Sequence, residues 1–169
     1  MANIKNFLTK LLKIEGGYVN HPNDNGGCTN KGITIGTFRD FFGKDKTCDN
    51  LKNISDSQVE KIYKQEYWDK CKCDEIQCPK IAQLIADWAV NSGVKTAIKG
   101  VQNIVKVNCD GIIGPITLKA INNYPTKDLF NELKKARKEY YENLVKKTPS
   151  NKVFLKGWIN RLEEYKWCE

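Results

Sequence analysis

The chain has 169 residues, 40% of them apolar, and a formal net charge of +8 from 28 basic and 20 acidic side chains. That length suits one compact domain, or a lobe with a small appended subdomain. No run approaches the roughly 18 apolar residues that a membrane-crossing helix requires, so no transmembrane segment is expected. A basic surface favours polyanions such as nucleic acid, anionic lipid or the acidic parts of a cell wall, and charge alone does not choose among them.

The N-terminal segment carries Lys5, Lys10 and Lys13 dispersed among apolar residues. A secretory signal would cluster its positive charge ahead of an apolar run, and that layout is absent. Synthesis in the cytoplasm is therefore expected, with action elsewhere only after release. The chain carries cysteines at Cys28, Cys48, Cys71, Cys73, Cys78, Cys109 and Cys168. An odd number argues against a complete disulfide framework, so reduced thiols or one or two isolated disulfides are expected. Cys71, Cys73 and Cys78 do not have the paired C-x2-C spacing of a zinc knuckle, and the sole histidine, His21, is far off in sequence. Neither a metal nor a cofactor is expected.

Ile4, Leu8, Leu11 and Leu12 have helical spacing and predict a helix over 3–14, stopped by Gly16-Gly17 as by a C-terminal cap. Residues 18–43 are turn-rich, with one β-like run at Gly32–Gly36, which predicts a small hairpin or loop subdomain. Ser55-Asp56-Ser57-Gln58 is a capping box opening a helix to about Trp68. Pro79 starts the next helix, Ile81, Leu84, Ile85 and Trp88 form its apolar stripe, and Gly93 ends it. Further helices are expected at about 95–106 and 115–123. A long helix capped by Thr126 should point Leu129, Leu133, Tyr140 and Leu144 inward. A last helix carries Phe154, Leu155, Trp158, Leu162 and Tyr165. The fold class is mainly α, and a mild compositional shift near 95 suggests regions 1–94 and 95–169 packed as one unit.

Glu15 stands where the first helix ends. The negative end of the helix dipole and nearby apolar side chains both favour the neutral, proton-bearing carboxyl. Glycosidic cleavage needs such a group to protonate the leaving oxygen. An ordinary last-turn residue would be Lys or Arg, so the mismatch is itself a signal. A second group must activate water or stabilise positive charge on the sugar. Asp24 lies nine residues on, with Thr29, Asn30 and Thr34 beyond it. Asp24 equally suits a plain turn, where Asp is favoured for local hydrogen bonds.

Glu15-Gly16-Gly17-Tyr18-Val19-Asn20, Pro22–Gly27 and Thr29–Thr34 together resemble the signature of glycoside hydrolase family 108, phage and prophage lysozyme-like muramidases. Asp87–Gly93 resembles the central helix of that family. Val101-Gln102-Asn103 with Asp110–Thr117 resembles its C-terminal predicted peptidoglycan-binding region. The resemblance covers nearly the whole chain in order. It implies a lysozyme-superfamily-like helical fold, a peptidoglycan substrate cut at the β-1,4 bond between N-acetylmuramic acid and N-acetylglucosamine, and Glu15 as the essential acid. By the same resemblance Asp24, with Thr29 or Thr34, fills the second role.

Tyr18, Asn30, Asn91 and Ser92 are candidate glycan contacts. Tyr18 also suits packing on the first helix, Asn91 and Ser92 suit local capping, and Trp88 lies on an apolar stripe as a core residue would. Lys134, Lys135, Arg137, Lys138, Lys146 and Lys147 make the most basic helix, yet Glu132, Glu139 and Glu142 interrupt it, so no specific nucleic-acid partner is expected. A non-catalytic wall-binding or secretion-assisting protein on the same fold is the alternative reading. The protein is expected to be a monomer.

Overall fold

The computed structural model describes residues 2–20 and 27–167, and the contacts cluster into two units, Ile4–Glu66, and Tyr67–Glu169 with Met1–Asn3. In the first unit α1 (Ile4–Ile14) buries Phe7, Leu8 and Leu11. These pack against α4 (Asp56–Tyr63), which buries Val59, Ile62 and Tyr63. The capping box holds as expected, since Ser55 accepts from the Gln58 amide and Gln58 from the Ser55 amide. Beyond Tyr63 the helix continues as one π turn, Lys64–Trp68. Neither Gly16 nor Gly17 has a positive φ, so α1 does not end in the left-handed cap expected of that pair.

A two-stranded antiparallel sheet joins β1 (Thr29–Asn30) to β2 (Ile33–Thr34), with Thr29 opposite Thr34 and Asn30 opposite Ile33. Lys31 and Gly32 form the turn, both left-handed at φ +49° and +75°, the handedness that matches strand twist in a two-residue hairpin. The β-like run at Gly32–Gly36 is only half strand. Thr34 accepts the Thr37 amide and caps α2 (Ile35–Phe42), so a helix replaces the irregular chain expected up to Gly43. The cap outweighs the β propensity of the Ile-Thr-Ile sequence. A short α3 (Cys48–Lys52), also unforeseen, starts from a capping box of Thr47 and Asn50. Cys28 and Cys48 are joined by a disulfide that fastens the start of β1 to the start of α3. Closing a loop of this size stabilises by about 3 kcal/mol.

The second unit is built on α5 (Pro79–Ser92), which runs from its first-turn proline to Gly93 at φ +92°. It buries residues on most of its circumference, as a helix covered on several sides must. Against it pack α6 (Val94–Ile104) and α8 (Thr126–Lys147); α7 (Pro115–Asn123) precedes α8, and α9 (Lys152–Glu163) lies on α8. Thr126 is the first helical residue rather than the cap, a position held by Pro125. The inward stripe of α8 also differs from the expected one. Leu129, Leu133, Arg137 and Tyr141 form a buried i, i+4 row, while Tyr140 and Leu144 are only half-buried. A charge at 137 masks that row in the sequence; the structure buries it because an acidic partner waits on α5. On α9, Leu162 is buried, as is Tyr165 just beyond it, but Phe154 is 56% exposed and Trp158 half-buried.

Candidate active site

Glu15 extends α1 by one residue, its amide donating to Leu11 O at 3.0 Å, and its side chain is half-buried. The carboxyl lies beside the hairpin tip. A Cβ built on Gly32 would sit 2.9 Å from Glu15 Oε2 and 2.6 Å from Tyr63 Oη. Only glycine, with no side chain and at ease at φ +75°, lets both groups approach the backbone so closely. Tyr63, 2% exposed, donates its hydroxyl to Lys31 O at 2.8 Å and so pins the tip from α4. Lys31 in turn reaches Asp56 at 2.9 Å. One helix end, one turn and one buried phenol thus define where the Glu15 carboxyl stands. Gly32 belongs to the family-like Thr29–Thr34 segment without standing out in it, and nothing in the sequence near Tyr63 announces its part.

Thr29 is half-buried, and its backbone exchanges two 2.8 Å hydrogen bonds with Val19, closing the excursion that contains Asp24. Asp24 itself lies outside the described residues. Thr34 is exposed and its hydroxyl is engaged as the α2 cap. Asn30 is buried, and its amide donates to Leu51 O at 3.1 Å and Lys52 O at 3.0 Å, committing that nitrogen to holding the hairpin on α3. Tyr18 is half-buried, with Lys52 Nζ 5.7 Å from its ring centre.

Asn91 and Ser92 belong to the second unit, at the end of α5, where Ser92 Oγ donates to Asn91 Oδ1. Asn91 Oδ1 also accepts from Tyr141, whose oxygen accepts from Arg137 Nε at 2.6 Å. Arg137 Nη2 donates to Asp87 at 2.7 Å, and Arg161 holds the same carboxylate at 3.0 Å. Asp87 and Arg137 are fully buried. Burial pushes the Tyr141 phenol above its ordinary range, against the opposing pull of Arg137. The Asp110–Thr117 segment is organised by another buried polar side chain, Gln102. Its Nε2 donates to Asp110, Ile112 O and Thr117, and its Oε1 accepts the Gly111 amide. The Gln102 bond, with a backbone bond from Ile112, holds the Asp110 carboxyl below the usual carboxylate range.

The family model described as Glycosyl hydrolase 108 matches residues 8–93, a little over half of the chain, including the Glu15 turn and the hairpin. The chain belongs to the glycosyl hydrolase 108 family. Residues 96–163 match a second model described as a predicted peptidoglycan domain. These matches meet between α5 and α6, whereas contacts put α5 with the later helices, because α6 and α8 pack on it. The chain is also similar to the solved structure of SagA from Brucella abortus, at 31% identity and a TM-score of 0.79, over 96% of this chain and 92% of that one. No curated protein matches. The fold class is as expected, a mainly helical, lysozyme-like fold with one small hairpin, and family membership makes the protein a glycoside hydrolase associated with peptidoglycan. Among the described residues no cluster of His, Cys, Asp and Glu is arranged to hold a metal, and no helix is long and apolar enough to cross a membrane.

Proposed function

We propose that the protein is a muramidase that cleaves the β-1,4 bond between N-acetylmuramic acid and N-acetylglucosamine, with Glu15 as general acid. The observation that carries this reading is the seat of the Glu15 carboxyl, fixed between a helix end and a glycine turn in a family of glycoside hydrolases. Glu15 protonates the glycosidic oxygen as positive charge develops on the muramic acid ring. Asp24 then takes up the second role, directly or through a water that it holds with Thr29 or Thr34. A separation of about 5–5.5 Å between the two carboxyls goes with retention and about 6.5–9.5 Å with inversion. Tyr18 offers a ring face to a sugar at the same end of α1. The enzyme acts on the wall after release from the cytoplasm, and its basic surface, at +8, draws it to an anionic wall.

The test is clearance of purified peptidoglycan by the native protein and by Glu15→Gln, with mass spectrometry of the fragments. Loss of clearance in the variant, and fragments ending in reducing muramic acid from the native protein, are expected. Equal clearance by both proteins overturns the assignment of Glu15. Binding to the wall without cleavage by either would favour the non-catalytic alternative.

A further inference from the structure

A groove with a volume of about 860 Å³ lies in the second unit, between α6 and α8. That falls within the range of roughly 300–1,000 Å³ common to ligand sites. Its floor is aromatic: Trp88 meets Tyr140 edge to face at 6.2 Å, and the bare Cα of Gly100 lets the indole lie against α6. Its walls are charged. Lys99 stands on α6, Lys106 lies just past its end, and Glu132, Lys135 and Glu139 run along one face of α8.

Among the described residues, none of these five groups closes an ion pair within the protein. Yet Glu132, Lys135 and Glu139 have the i, i+3 and i+4 spacings at which such pairs form readily. The neighbouring Lys134, by contrast, pairs with Glu163 at 3.0 Å. A groove that keeps both signs of charge available suits a ligand that carries both. A polyanion would be repelled by the two glutamates. A neutral glycan would leave five charged groups unmatched, and Trp88, 2% exposed, offers it no ring face.

We propose that this groove binds the peptide stem of peptidoglycan, a short zwitterionic peptide with several carboxylates and a free amine on its diamino acid. The inference rests on the reading of peptidoglycan as substrate. Lys99, Lys106 and Lys135 take the carboxylates, and Glu132 and Glu139 take the amine. The C-terminal unit thereby recognises the cross-linking peptide, while the chemistry at Glu15 concerns the sugar chain.

The experiment is calorimetric titration of the full-length protein, native and Glu15→Gln, with a synthetic stem tetrapeptide. The same peptide with its carboxylates amidated, or with its amine acetylated, and a neutral N-acetylglucosamine hexamer serve as comparison probes. The expected result is saturable binding of the free peptide, weakened about tenfold by Lys106→Glu with Lys135→Glu, and by a similar factor on amidation. Glu132→Gln with Glu139→Gln should match the loss caused by acetylation, and none of these variants should alter binding of the hexamer. The groove assignment is overturned if no saturable binding is seen, if the variants leave peptide affinity unchanged, or if they weaken the hexamer equally. Binding by Glu15→Gln is measured without turnover, so a protein that cleaves nothing still tests the groove. Cleavage of peptidoglycan by a native protein that binds no stem peptide would leave the muramidase reading standing alone.

Discussion

Each unit holds a carboxylate in a segment that resembles the family, Asp87 in one and Glu15 in the other, and these two are treated in opposite ways. Asp87 sits in the middle of α5, fully buried, with Arg137 and Arg161 on its two oxygens. Glu15 sits past the end of α1, half-buried, facing the backbone of a turn. The first is surrounded by opposite charge and closed to any ligand, which makes it a structural tie between α5, α8 and α9. The second keeps access to solvent, as a proton donor must. Burial and partners, rather than residue type, separate a carboxylate that holds the fold from one that can do chemistry.

The contrast predicts that the two residues fail differently. Glu15→Gln should lower turnover by about 10²–10⁴-fold while leaving the thermal midpoint nearly unchanged, measured by wall clearance and circular dichroism. Asp87→Ala should do the reverse, costing about 3–5 kcal/mol in denaturant unfolding because two guanidinium groups lose their counter-charge inside the protein. Molecules of that variant that remain folded should keep native turnover. If Asp87→Ala abolished turnover in folded protein, the division of labour would be wrong.

Smaller perturbations sharpen the same comparison. Replacing Cys28 and Cys48 by serine should cost about 3 kcal/mol, in a denaturation curve where a reductant shifts the native protein but not the variant. Gly32→Ala brings a methyl group against both Glu15 and Tyr63 at a backbone angle it disfavours. A displacement of about 1 Å at the acid can cost on the order of 100-fold in rate, so turnover should fall more than stability does. The least effect is expected from alkali. Tyr141 is held neutral by burial, so the unfolded chain ionises its phenol before the folded one does. The cost of burying that phenol is constant below about pH 10; above it the unfolded chain gains by ionising, and stability falls as pH rises. Burial raises the Tyr165 phenol as well, so the fall should be smaller but not absent in Tyr141→Phe; an equal fall in both proteins would show that Tyr141 is not the buried group described.

Much of this arrangement is legible in the sequence where local chemistry decides structure. Pro79, Gly93 and Pro115 mark helix ends that the structure keeps, and Glu15 stands out because a carboxylate is a poor choice for a last turn. What stays hidden depends on partners distant along the chain. Arg137 and Arg161 lie 50 and 74 residues from Asp87, so nothing local shows that a lysine-rich stretch of α8 turns one charge inward. Tyr63 acts on a turn 32 residues earlier. Asn30 suits a ligand contact by type because amides bind sugars, yet its amide nitrogen serves the carbonyls at the end of α3. The second helix is hidden for a different reason, since Thr34 suits a strand by type and a cap by position.

The hairpin register also sets which parts of this region evolution can lengthen. With only Lys31 and Gly32 between the strands, one added residue at the tip would shift the pairing by a step and send Ile33 from the interior to water. The paired backbones of Val19 and Thr29 restrain the same hairpin from the chain before it. Homologues are therefore expected to keep the two-residue tip unchanged, whatever else varies around it.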